Sequence, residues 1–201
     1  MSLLRHTLAA ALLLGLVACG ASEPTRFYLL SPGQPATAPT GQGPLVFVDQ
    51  ATVAPYLDRA QLVTRVTPDQ VAFADVRTWG EPLTSMITRY VVDGLGNRFG
   101  PDRVMETPGR REPVPDFRLA IDVQRFDGDQ AGVMVVDARW TLLAGPDDRF
   151  IATGRERVAE QADDPASWDS RVAALGRALA RFSGELAEVV SASGHIARTG
   201  G

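Results

Sequence analysis

From Phe117 to Ala159 apolar and polar residues alternate, and a period of two over that length leaves the chain little choice but a sheet covered on one side. Phe117, Leu119, Ile121 and Val123 interleave with Arg118, Asp122 and Gln124, as in a strand with one face in a core and the other in water. Asp127-Gly128-Asp129 has turn chemistry and predicts the first reversal. Met134, Val136, Ala138, Trp140 and Leu142 then line one face of a second strand. Gly145-Pro146-Asp147-Asp148 turns again, and residues 150–159 return. Such a meander has an apolar face that other elements must bury.

Two stretches with helical spacing can do so. In the first, Thr78 and Glu81 stand as a capping box with Pro82 in the first turn. Trp79, Leu83, Met86, Ile87, Tyr90, Val91 and Leu95 make the apolar stripe. In the second, Ser167 caps a stripe of Trp168, Val172, Leu175, Leu179, Phe182, Leu186 and Val190, and the chain is expected to fray from Ser191. Further strands are expected at Thr25–Leu30, from Leu45 towards Val53, at Gln61–Val66 and at Gln70–Phe73. The predicted fold is α/β: a layered single domain with a mixed or antiparallel sheet, a C-terminal β-meander and two long amphipathic helices. The Pro- and Gly-rich residues 31–44 read as a loop returning into the same domain, and residues 107–115 as an exposed loop.

The N-terminus fixes where the chain works. A short basic start precedes an apolar run from Leu8 to Val17, which closes on Val17-Ala18-Cys19-Gly20. That run is too short to span a bilayer as a mature helix and reads as an export signal. Cys19 is the chain's single cysteine, so it has no partner for an intramolecular disulfide. At the first mature position its thiol suits alkylation by a diacylglycerol donor, and acyl chains then anchor the protein. Gly20 favours outer-membrane sorting. The expected organisation is a signal over 1–18, a lipidated tether over 19–25, a folded domain over 26–192 and a flexible tail over 193–201.

Composition excludes several functions. The formal charge is −4, with 20 basic residues, all arginine, and no basic run, a poor match for nucleic acid. Once residues 1–18 are removed, the one histidine left is His195 in the expected tail, a poor place for positioned proton transfer. There is no Gly-x-Ser-x-Gly, His-Glu-x-x-His or phosphate-binding loop. No catalytic residue, metal ligand or cofactor is expected beyond the covalent lipid on Cys19.

Four segments in order resemble the ABC-type transport auxiliary lipoproteins, the family of PqiC-type subunits. They are Arg26-Phe27-Tyr28-Leu29-Leu30-Ser31-Pro32, then Val53-Ala54-Pro55-Tyr56-Leu57-Asp58-Arg59-Ala60-Gln61-Leu62-Val63-Thr64-Arg65. Arg77-Thr78-Trp79-Gly80-Glu81-Pro82-Leu83 follows, and then Val123-Gln124-Arg125-Phe126-Asp127-Gly128 with Ala138-Arg139-Trp140. The resemblance implies a non-catalytic subunit working beside an ABC permease, an ATPase and an MCE-domain protein in envelope lipid transport. It implies an outer-membrane lipoprotein that faces the periplasm and tethers or receives the assembly, with self-association as a further contact. A lipid-binding carrier, its ligand between sheet and helix, is the alternative.

Tyr56, Leu57, Asp58, Arg59, Arg65, Arg77 and Trp79 are the candidate partner or self-association surface. Aromatic and arginine residues on a loop are favoured interface anchors. The competing reading is structural: Tyr56 and Leu57 close the core, Asp58 pairs with an arginine, and Trp79 packs beneath the helix. If the surface reading holds, alanine at Tyr56 and Arg59 weakens assembly with little loss of stability.

Overall fold

A computed structural model describes residues 23–32, 43–107, 113–145 and 147–199. Cys19 and the export signal, most of the 31–44 connector and the centre of the 107–115 loop lie outside the described residues. Nine strands and two helices are present among those described, and the expected α/β layering is observed.

The spine of the sheet is β7 (Phe117–Asp129). Along one edge it pairs antiparallel with β8 (Val133–Ala144), which pairs antiparallel with β9 (Arg149–Gln161). This is the predicted meander. Its other edge is shared in succession by three shorter parallel strands: β2 (Val46–Val48), β3 (Thr52–Val53) and β4 (Gln61–Thr67). β5 (Gln70–Trp79) forms a hairpin with β4, and β1 (Arg26–Tyr28) lies parallel on the end of β5. β6 (Val104–Glu106), which has no clear pattern in the sequence, pairs parallel with β2. β2 is flanked on both edges and fully buried, as its continuous apolar run predicts.

Both helices lie on one face. α1 (Leu83–Phe99) contributes Met86, Ile87, Val91 and Leu95, and α2 (Trp168–Thr199) contributes Leu175, Leu179, Phe182 and Leu186. These meet Val46, Leu119, Val136, Ala138 and Leu142 of the sheet in one core. The helices approach closely at Gly94, where an added Cβ would sit 2.8 Å from Ser183 Cβ. The Tyr90 hydroxyl donates to the Gly176 carbonyl at 2.8 Å, which ties the same two helices.

Several expectations are corrected. Thr78 and Trp79 close β5 rather than open a helix, and α1 starts at Leu83 with Pro82 at its N-cap and no side-chain capping bond. Sheet pairing of β5 with β4 and β1 outweighs the local capping pattern. The strand expected from Leu45 to Val53 is two pieces, broken at Asp49–Ala51, where the Ala51 amide donates to Thr88 of α1. The C-terminal helix does not fray at Ser191 but continues through Thr199, across the Ser193-Gly194 pair.

The largest correction concerns Asp127-Gly128-Asp129. These residues belong to β7, and the reversal lies at Gln130–Gly132, where Gly132 takes φ 81. A bulge at Gln124 sets the outcome. Pairing passes from Val123↔Ala138 to Arg125↔Asp137, leaving Gln124 unmatched. Up to Val123 the odd-numbered residues face the helices; beyond the bulge Phe126 does, and Arg125 and Asp127 are turned to the opposite face.

Candidate functional site: an arginine–aspartate cluster and the loop beside it

The face of the sheet away from the helices carries two buried carboxylates, each held between arginines. Asp127, with no exposed surface, receives Nη2 of Arg65 at 2.8 Å on Oδ2 and Nη2 of Arg125 at 2.7 Å on Oδ1. The Tyr56 hydroxyl donates to Oδ2 at 2.8 Å. Arg65 also donates to the Pro68 carbonyl at 2.9 Å, so it joins the β4–β5 turn to β7. One row along, Asp137 of β8, 1% exposed, accepts Nε and Nη2 of Arg155 at 2.7 and 2.8 Å. Arg157 stands 3.9 Å away.

The electrostatics follow from this geometry. Burial raises the Asp127 pKa, but bonds from Arg65, Arg125 and Tyr56 more than offset it and leave the group below its ordinary value. The Arg155 hydrogen bonds lower Asp137 against a smaller effect of burial. Burial, then the neighbouring Asp127 carboxylate, raises the Tyr56 phenol. Both carboxylates are therefore ionised and occupied at neutral pH, a poor state for a general acid or base. Four guanidinium groups, from Arg65, Arg125, Arg155 and Arg157, surround two carboxylates, so the cluster presents net positive charge on an acidic protein.

The predicted surface residues divide. Tyr56 and Arg65 come together at Asp127. Leu57 is 1% exposed and belongs to the core. Trp79 is buried, with its ring centroid 5.9 Å from that of Phe126. Arg77 pairs with Glu23 at 2.5 Å. Asp58 is exposed and has no ion pair among the described residues, contrary to the structural reading. Arg59 is exposed and stacks on the ring of Phe73 in β5, 3.8 Å from its centroid. Asp127, Asp137, Arg125 and Phe73 were not candidates from sequence. Arg125 and Asp127 fall within a recognised segment, but their shared face depends on the bulge, which has no residue signature.

The model of the ABC-type transport auxiliary lipoprotein component matches residues 28–187. The chain belongs to this family. The match covers all of this auxiliary lipoprotein's sheet except the first residues of β1. Two crystal structures are similar to it. One, of an uncharacterised protein, has TM-score 0.70 at 20% identity, covering 84% of this chain and 99% of that one. The other, a protein from Xanthomonas campestris, has TM-score 0.70 at 23% identity, covering 87% and 99%. At those identities they show that the auxiliary lipoprotein's fold recurs. No curated protein matches the chain in sequence.

Proposed function

We propose that the protein is a non-catalytic subunit of an ABC-type envelope transporter of the MCE lipid-transport kind, acylated at Cys19 and held at the outer membrane. There it tethers or receives the transport assembly from the periplasmic side. The observation that carries this reading is the extent of the family match: it runs from β1 into the second half of α2, so the family's role is a role of this folded unit.

Partner contact is assigned to the Pro55–Arg59 loop with Phe73. Arg59 and Phe73 offer an arginine and an aromatic ring in solvent, the residue types enriched at interface centres. The neighbouring Tyr56–Arg65–Asp127 bonds hold the loop in shape, which lowers the entropy lost on binding. The carrier alternative needs an apolar cavity between sheet and helices. That space is filled by Met86, Ile87, Leu95, Leu119, Leu142, Leu179, Phe182 and Leu186, each below 2% exposed.

The test is a photo-crosslinking residue at Arg59 or Phe73, compared with one at exposed Glu185 of α2, in cells producing the acylated protein. Transfer to an MCE protein, its permease or a second copy from the first two positions alone supports the assignment. Equal capture from Glu185 removes it.

A further inference from the structure

β1 is the outermost strand beyond β5, and its two faces differ sharply. Tyr28 and Leu30 point into the core at 8% and 5% exposure, whereas Phe27 and Leu29 stand on the opposite face at 72% and 52%. Leu29 lies against Gly80, with Cδ2 3.0 Å from where a Cβ there would be. Phe27 and Leu29 are thus neighbouring large apolar groups in solvent, flanked by exposed Arg26. Single exposed apolar residues need no explanation, but adjacent ones on a strand edge ask what covers them.

The position of Cys19 answers that. Glu23 is joined to Arg77 of β5 at 2.5 Å, and Cys19 precedes Glu23 by four residues, a reach of at most about 14 Å when extended. Even from Arg26, where β1 begins, the reach is at most about 25 Å. An acyl-bearing Cys19 therefore keeps the headgroup region of its membrane beside β1. Aromatic and aliphatic side chains next to a cation are the composition that lies down in that region.

We propose that Phe27 and Leu29 insert into the bilayer surface beside the acyl anchor, so that the β1 edge is the membrane-facing side of the domain. This rests on acylation of Cys19 and goes beyond it: an anchored protein with a free tether would leave β1 in water. The Arg77–Glu23 pair is then the clip that shortens the tether and holds this orientation.

The test uses the acylated protein in vesicles of phosphatidylethanolamine and phosphatidylglycerol. Since Cys19 is blocked by its lipid, Phe27→Cys, Leu29→Cys and, as reference, Glu185→Cys each supply one thiol for an environment-sensitive dye. The intact mass of the sample establishes acylation first, so loss of the anchor is read separately from loss of insertion. Spin-labelled lipid is expected to quench the dye at 27 and 29 several-fold more than at 185, with blue-shifted emission. The unmodified acylated protein should show slowed amide exchange over residues 24–30 on reconstitution. Equal, weak quenching at all three sites with acylation intact, or unchanged exchange over 24–30, overturns the proposal.

Discussion

Arg65 of β4 reaches across the sheet to Asp127 of β7, its Nη2 2.8 Å from Oδ2, and the same carboxylate takes the hydroxyl of Tyr56. Two parts of the chain separated by some sixty residues are thereby fixed to one fully buried charge. Removing one partner of such a pair leaves the other uncompensated. Asp127→Asn is expected to cost about 3 kcal/mol, the lower end for a buried pair because Arg65 and Arg125 keep some water. Urea unfolding of the variant against the parent measures this, and a loss below about 1 kcal/mol would contradict it.

Acid should undo the same cluster. Asp127 and Asp137 both have pKa values lowered by folding, against about 3.9 when unfolded. A depressed folded pKa adds stability that is fully present above the unfolded value and is lost as pH falls through the folded one. Urea midpoints should hold steady from neutral pH to about pH 5 and drop below about pH 4. Asp127→Asn should start lower and fall less.

The tyrosines give the opposite sign. Burial raises the phenol pKa of Tyr28, Tyr56 and Tyr90, with Asp169 adding to the first and Asp127 to the second. These are the chain's three tyrosines. Folding then favours the neutral phenols, a stabilisation complete below the unfolded value of about 10 and lost as pH rises through the folded ones. Ultraviolet titration at about pH 10 should show less phenolate in the folded protein than in urea, where ionisation is roughly half.

Arg59 and Tyr56, neighbours on one loop, should separate. Arg59→Ala and Phe73→Ala each remove one exposed cation–π contact, costing about 0.5–1 kcal/mol, while partner capture should fall. Tyr56→Ala strips bonds to Asp127 and to the Gln124 carbonyl and should lower thermal stability clearly. Alanine at Tyr56 leaving stability unchanged would mean that the cluster does not hold the loop.

The contact between helices is testable alone. Gly94→Val places a side chain where Ser183 Cβ already sits, and overpacking of this kind costs about 1–3 kcal/mol. Ser183→Gly in the same chain should restore part of it in thermal melts. No recovery would show that the helices do not meet there.

What could be read from residues alone follows from which forces are local. The meander and both helix stripes were legible because Phe117–Val123, Met134–Leu142 and Trp168–Val190 keep their period throughout. The start of α1 was not, because Thr78 and Glu81 satisfy a local capping rule that β1 and β4 overrule by pairing with β5. The Asp127 cluster was hidden twice. Asp-Gly-Asp is ordinary turn chemistry, and only the unmatched Gln124 turns Asp127 towards Arg65. Two of the seven candidate surface residues are lost for a similar reason: Leu57 and Trp79 sit in motifs, but their side chains are consumed by the core.

Affinity purification of the detergent-solubilised, acylated protein, followed by mass spectrometry of the proteins and lipids that come with it, tests the transporter role most directly. An MCE-domain protein recovered with a permease and an ATPase, and lost with Arg59→Ala and Phe73→Ala together, is the expected result. Recovery of near-stoichiometric lipid with no transporter component would contradict it.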